Sequence, residues 1–240
     1  MKTIDAKGIY YRQLNQQIRA ALQNREKEIE LLNVNGQRYI GAGLNGNHVK
    51  ITIRGTPGND LAAFMNGPTI EVHGNCQDGV ANTMNDGKIV IHGSTGDVLG
   101  YGMRGGRVLI KDNIGYRAGI HMKAYQDKIP VIIAGGTSGD FLGEYMAGGI
   151  LVLLGKNQNA KFIGTGMHGG TIYIRDKIEN HQLSKEVVST THLDNEDEKL
   201  LEKLLEEYSQ HFKINTEEMM TDTYTKLQPK SSRPYKKLYA

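Results

Sequence analysis

Apolar residues recur along this chain with a long period rather than the 3.6-residue spacing of a helix. Met65, Met84, Met103 and Met122 stand nineteen residues apart, and Met146 and Met167 continue the series after gaps of twenty-four and twenty-one. Five residues after a marker methionine comes an aliphatic side chain (Ile70, Ile89, Val108, Leu151, Ile172), and two further on another (Val72, Ile91, Ile110, Leu153, Ile174). A turn-former follows at Gly74, Gly93, Asp112, Gly155 and Asp176, with Gly55 holding that place ahead of the first marker. Four residues before each marker lies a third apolar series: Leu61, Val80, Leu99, Ala118, Leu142 and Ile163. Three before it the residue is always small: Ala62, Ala81, Gly100, Gly119, Gly143 and Gly164.

This spacing predicts a coil of short strands. The alternating pair reads as a strand with one buried face. Glycine or Asp then turns the chain, because a sharp corner often needs the positive φ that costs least at glycine. The small residue lets neighbouring backbones approach. Nineteen residues suffice for one turn, and turns would stack about 4.8 Å apart with hydrogen bonds between them. Strand pairs opening at Ile51, Ile70, Ile89, Val108, Ile132, Leu151 and Ile172 predict about seven coils, a column on the order of 30 Å long. The fold class is all-β, a single-stranded right-handed parallel β-helix. Leucine-rich repeats would need a helical return, and a left-handed hexapeptide helix would need six-residue sub-periods.

The ends read differently. Leu14, Ile18, Ala21 and Leu22 form the stripe of an amphipathic helix over residues 10–24, and Glu28 to Val34 reads as a strand. Asp194 or Asn195 is a helix cap with acids in the first turn, leading a stripe of Leu200, Leu201, Leu204, Leu205, Tyr208 and Phe212. Beyond residue 212 the chain reads as extended, and from Lys226 it carries Lys226, Lys230, Arg233, Lys236 and Lys237 with no acid. That stretch is either a solvated basic tail or a docking arm, since Tyr235, Leu238 and Tyr239 interleave with the charges and Pro229 and Pro234 stiffen it. The expected organisation is an N-terminal cap over 1–35, the repeat domain over 36–180, and a C-terminal helix with tail over 181–240.

Composition sharpens this picture in three ways. Thirty glycines in 240 residues exceed the usual share of about 7%. Trp is absent and aromatics make up 7%, so the core must be aliphatic, and the aromatic groove of a carbohydrate-active β-helix is not expected. A net charge of +3 does not by itself call for nucleic acid. No apolar run reaches a membrane span, and one cysteine, Cys76, rules out an intrachain disulfide and fits a reducing cytoplasm.

Candidate chemistry falls on repeat positions. Gly41-Gly43-Gly46, Gly100-Gly102-Gly105 and Gly164-Gly166-Gly169 match G-x-G-x-x-G, but each runs into a strand, whereas a pyrophosphate needs a helix opening there. His73 and His92 share a position and predict a stacked surface pair; a metal would need a third ligand, and the next occupants, Lys111 and Leu154, offer none. Asp78, Asp97 and Asp140 also share a position, broken by Asn59, Tyr116 and Lys161, and read as turn-stabilising side chains. His121 and His168 flank markers and read as structural. Cys76 has no activating neighbour. No catalytic, cofactor or metal site is expected.

The stretch Gly135-Gly136-Thr137-Ser138-Gly139-Asp140-Phe141-Leu142-Gly143-Glu144-Tyr145-Met146-Ala147-Gly148-Gly149 resembles the C-terminal β-helical (GXGXG) domain of the glutamate synthase large subunit. The resemblance covers about residues 30–176. With Asn33-Val34-Asn35-Gly36-Gln37-Arg38-Tyr39-Ile40-Gly41 and Arg233-Pro234-Tyr235-Lys236-Lys237-Leu238-Tyr239-Ala240, it is most similar to stand-alone versions of that domain. The same repeat forms the β-helical subunit of formylmethanofuran dehydrogenase, the alternative reading; an independent β-helix enzyme is a third.

The resemblance implies a complex that makes glutamate from glutamine and 2-oxoglutarate through an N-terminal cysteine, FMN and an iron–sulfur cluster. None of those sites maps onto this chain. Lys2 follows Met1, and one cysteine cannot hold a cluster. The implied role is a non-catalytic scaffold in the cytoplasm, without cofactor of its own. Its partners would be amidotransferase and FMN-binding subunits, or a second copy of itself, with neither nucleic acid nor membrane.

Overall fold

The computed structural model describes residues 1–231, and within them the repeat is a stack. Strands β1 (Lys2–Asp5), β2 (Glu28–Asn35), β3 (Lys50–Thr56), β4 (Asn66–His73), β5 (Asp86–Ile91), β6 (Arg107–Ile110), β7 (Val131–Ala134), β8 (Ala147–Leu153) and β9 (Gly169–Arg175) pair in sequence order, all parallel. The seven strand positions expected from the repeat are hydrogen-bonded neighbours: Ile51 opposes Ile70, which opposes Ile89, then Val108, Ile132, Leu151 and Ile172. Ile29 of β2 opposes Ile51 and carries the column one step further toward the N-terminus. The chain is a parallel β-helix. All six marker methionines are buried inside it, with the aliphatic series stacked beside them.

The long gap between Met122 and Met146 is filled by a turn at residues 123–130, closed where Tyr125 and Lys128 exchange backbone hydrogen bonds of 3.1 Å. The shared Asp position bonds to backbone, but to that of the next coil rather than to its own turn. Asp78 Oδ1 accepts from the N–H of Asp97, Asp97 Oδ1 from Tyr116, and Asp140 Oδ1 from Lys161, each at 2.8–2.9 Å and each one coil along.

Both termini add to the column. Helix α1 (Tyr11–Gln23) buries Leu14, Ile18 and Ala21 and ties itself to the first coil, where Asn15 donates to the Arg38 carbonyl at 2.9 Å and Arg19 to that of Ala42 at 2.6 Å. Helix α2 (Asn195–Ser209) starts at Asp194, whose carboxylate accepts from the N–H groups of Glu196 and Asp197 at 2.9 Å. It does not sit on the end of the solenoid. It lies along the outer face of the later strands, where Leu201, Leu204, Leu205, Tyr208 and Phe212 bury Val90, Leu109, Val131, Ile133, Val152 and Tyr173.

Two expectations are therefore corrected. Strands β5 to β8 are apolar on both faces, as in Ile89-Val90-Ile91 and Leu151-Val152-Leu153, and both faces are covered. Such continuous runs mark strands buried on two sides. Strands β2, β3 and β4 keep the alternation, with Glu28, Glu30, Lys50, Thr52, Arg54, Glu71 and His73 turned outward. The region beyond residue 212 is not simply extended either. Asn215 Oδ1 accepts from the N–H of Glu218 at 3.2 Å and caps a short helix, α3 (Thr216–Met220). Strand β11 (Tyr224–Pro229) then pairs antiparallel with β9 on one side and with β10 (Val187–Thr190) on the other. Lys226, expected at the start of a basic tail, is a strand residue within 2.7 Å of Asp197. Arg233, Pro234, Tyr235, Lys236, Lys237, Leu238 and Tyr239 lie outside the described residues.

Candidate functional site

The corner before each marker methionine has an unusual backbone. Positive φ occurs five, three and one residues before the marker in every coil: Asp60, Ala62 and Phe64; Gly79, Ala81 and Thr83; Val98, Gly100 and Gly102; Arg117, Gly119 and His121; Phe141, Gly143 and Tyr145; Phe162, Gly164 and Gly166. Leu44 stands in the marker's place for the first coil, behind Tyr39, Gly41 and Gly43. The alternation lets N–H groups bond to both neighbouring coils. Gly119 N–H donates back to the Leu99 carbonyl at 2.7 Å, while His121 N–H donates forward to that of Glu144 at 3.0 Å. The middle position is small because it faces the interior. A Cβ on Gly119 would come within 2.8 Å of Leu151 Cδ1, and one on Gly143 within 2.7 Å of Ile172 Cδ1.

The flanking positions point outward, and four of them hold exposed aromatics: Tyr39, Phe64 (57% exposed), Tyr145 and Phe162. Tyr101 and Tyr116, beside the same corners, are exposed as well. Some of them join with neighbours into two groups of rings. Tyr101 meets the ring of His121 edge-on at 5.8 Å, His121 stacks on Tyr145 at 5.3 Å, and Phe141 stacks on Phe162 at 5.0 Å. The Arg117 guanidinium lies 5.3 Å from the Phe141 ring and 3.3 Å from the carboxylate of Glu144, which is only 7% exposed. A bulky residue at positive φ costs about 1–2 kcal/mol. Exposed aromatics held in that conformation contribute nothing to a core that offsets the cost, and such residues cluster where function needs them. An apolar, aromatic edge with an arginine fits a protein interface.

A second cluster lies on the polar outer face of β4 and at His92, the residue that follows β5. The imidazoles of His73 and His92 stack at 4.6 Å and 10°, as their shared repeat position predicts. Glu71 Oε1 lies 3.0 Å from His92 Nε2 and 3.7 Å from His73 Nε2, while Lys50 Nζ holds the other carboxylate oxygen at 3.2 Å. Burial would raise the Glu71 carboxyl, but the bonds from His92 and Lys50 outweigh it and hold the acid below its ordinary range. Burial and the neighbouring His92 lower His73. Phe212 closes one side, edge-on to His92 with ring centres 5.4 Å apart. The histidines' shared repeat position does not contain Glu71. It sits two residues before His73 on the same strand, and the period-2 rule puts both on one face.

The remaining candidates stay apart from these clusters. The three G-x-G-x-x-G matches lie at corners and lead into β3, β6 and β9, not helices. His168 Nδ1 lies 3.0 Å from the Gly166 carbonyl. Gly55, Gly74, Gly93 and Gly155 sit at turns, but of these only Gly55 and Gly74 have positive φ. Gly93 and Gly155 are required by space: added Cβ atoms would run into Gly74 and Gly136 backbone of the preceding coil. Cys76 is 5% exposed, and burial pushes its thiol far above the ordinary value. A thiol reagent such as dithionitrobenzoate should react with it only in denaturant; full reaction of the native protein within minutes would contradict this environment. Among the described residues no helix is long and apolar enough to cross a membrane.

Comparison with known proteins agrees with this architecture. The family model described as the GXGXG motif matches residues 6–233. An uncharacterized protein of Methanocaldococcus jannaschii is 48% identical over 249 residues, covering 98% of this chain and 95% of that protein. Among solved structures, a chain of the formyltransferase/hydrolase complex of Methylorubrum extorquens, determined with methylofuran, superimposes with a TM-score of 0.51. It shares 18% identity over 83% of this chain and 72% of that one, a likeness of fold.

Proposed function

Because this chain belongs to the GXGXG motif family, we propose that it is a scaffold subunit, inactive on its own, that docks catalytic partners through its aromatic edge. The observation that carries the reading is the set of exposed rings along one corner, Phe64, Tyr101, Tyr145 and Phe162, all but Tyr101 held at positive φ. The column behind it is filled with aliphatic side chains. The more specific reading is a counterpart of the glutamate synthase C-terminal domain, working in the cytoplasm. Glutamine and 2-oxoglutarate would then be converted to glutamate on separate amidotransferase and FMN-binding subunits. The stretch from Gly135 to Gly149 supports it through its resemblance to that domain.

A second reading draws on the likeness to a chain of a formyltransferase/hydrolase complex: a component resembling the β-helical subunit of formylmethanofuran dehydrogenase. Both readings give the chain the same physical role and differ in the partner.

Affinity purification of the tagged chain from its native cell separates them. Co-elution of a flavin-containing synthase subunit supports the first, and molybdenum or tungsten enzyme subunits support the second. A chain that elutes with neither would end both. The edge itself is tested by the double substitution Tyr101→Ser and Tyr145→Ser. Both side chains are exposed, so the melting temperature should stay within about 2 °C. Recovery of the partner should fall at least ~10-fold, since aromatic anchors dominate such interfaces.

A further inference from the structure

The cluster on β4 and just past the end of β5 carries chemistry that a scaffold does not need. We propose that Glu71, His73 and His92 form a binding site for a zinc-class divalent metal ion, with one coordination position left open. The three side chains each offer one donor, and these atoms all lie within 4.8 Å of one another. Tetrahedral zinc with bonds of about 2.0–2.1 Å keeps its ligand atoms roughly 3.3 Å apart. The two contacts made by Glu71 Oε1, 3.0 Å and 3.7 Å, straddle that separation.

The stacked imidazoles present parallel lone pairs, so one ring must turn to share a metal. His73 is the one free to do so. Its side chain is 35% exposed, whereas His92, at 27%, is braced by Phe212. The donor set selects among cations. Two imidazole nitrogens with one carboxylate oxygen suit zinc, cobalt or nickel, while magnesium and calcium prefer oxygen. Lys50 Nζ lies 3.2 Å from the second oxygen of Glu71. It competes with the metal for Glu71 and sets the affinity.

The inference holds whichever complex the chain joins, and it is tested on the full chain alone. After chelator treatment and gel filtration, the protein is titrated with zinc chloride by calorimetry and with cobalt chloride in the visible spectrum. The expected result is one equivalent of zinc, and a cobalt d–d band of the intensity typical of four- or five-coordinate sites. His73→Ala, an exposed position where the fold should persist by circular dichroism, should weaken zinc binding on the order of 100-fold. His92→Ala should do the same. Lys50→Ala should tighten binding several-fold by removing the competing charge. The proposal is overturned if the chain binds no stoichiometric zinc, if both histidine variants bind like the unsubstituted chain, or if Lys50→Ala weakens binding.

Discussion

Gly55→Ala is expected to lower the melting temperature by roughly 10 °C, whereas Gly43→Ala should lower it by only about 3 °C. Both glycines have positive φ, at 124° and 63°, and both lie on the same stack. They differ in what a methyl group would meet. At Gly43 nothing lies within 4 Å, so alanine costs only the left-handed conformation, about 1 kcal/mol. Ala62 and Ala81 already adopt that conformation, at 61° and 60°. At Gly55 the added Cβ would overlap the carbonyl oxygen and carbonyl carbon of Val34 on the preceding coil. A backbone atom cannot step aside without breaking the bonds that set the coil spacing. A cost of about 3 kcal/mol or more follows, and each kcal/mol moves the midpoint of a chain this size by roughly 2–4 °C. Differential scanning calorimetry of the two variants provides the measurement. Equal shifts would mean that conformation, not coil spacing, decides which turns must be glycine.

The contrast bears on what the sequence reveals. Whatever repeats was legible: Ile70 over Ile89 and His73 over His92 both follow from the nineteen-residue spacing. Features running across the repeat were harder to see. Glu71 reaches His73 along one strand, so the column of equivalent positions does not hold it. The outer apolar face of β5 to β8 emerges only when Val90, Leu109 and Val152 are read with their neighbours as unbroken runs rather than alternation. That face fixes where α2 must lie. The aromatic edge escaped for a related reason. Seven per cent aromatics is a low total, yet Phe64, Tyr101, Tyr145 and Phe162 fall within five residues before a marker, on one corner. Their position matters more than their number. The cap at Asn215 was visible as Asn-Thr-Glu-Glu, but a helix of five residues leaves no period to detect.

Asp197→Ala is expected to cost about 3–5 kcal/mol, because it breaks a buried ion pair and leaves the partner's charge behind. Asp197 and Lys226 have side chains only 8% and 13% exposed, with 2.7 Å between Oδ2 and Nζ. Tyr173 donates its hydroxyl to the other carboxylate oxygen at 2.6 Å. One carboxylate thus joins the first turn of α2 to β9 and β11, and its loss should release the helix from the sheet. Hydrogen exchange should then speed up in α2 and β11 while β3 to β5 stay protected. Adding Lys226→Met should restore a substantial part of the loss, since the unpaired charge is the larger penalty. If the double variant is no more stable than the single one, the pair does not act as described.

Acid probes the same contact. Burial alone would raise the Asp197 carboxyl, but hydrogen bonds from Lys226 and Tyr173 outweigh it and leave the acid below its ordinary value. A folded-state pKa lower than the unfolded one, near 3.9, stabilises the protein fully above that pH. The stabilisation is lost as pH falls toward the folded value. The unsubstituted chain should therefore lose more stability between about pH 5 and pH 3 than Asp197→Ala does. Parallel decline of the two would remove Asp197 from the acid response and place it on other carboxylates, with Glu71, Glu207 and Asp222 the next to test, each held low by its own cationic partners.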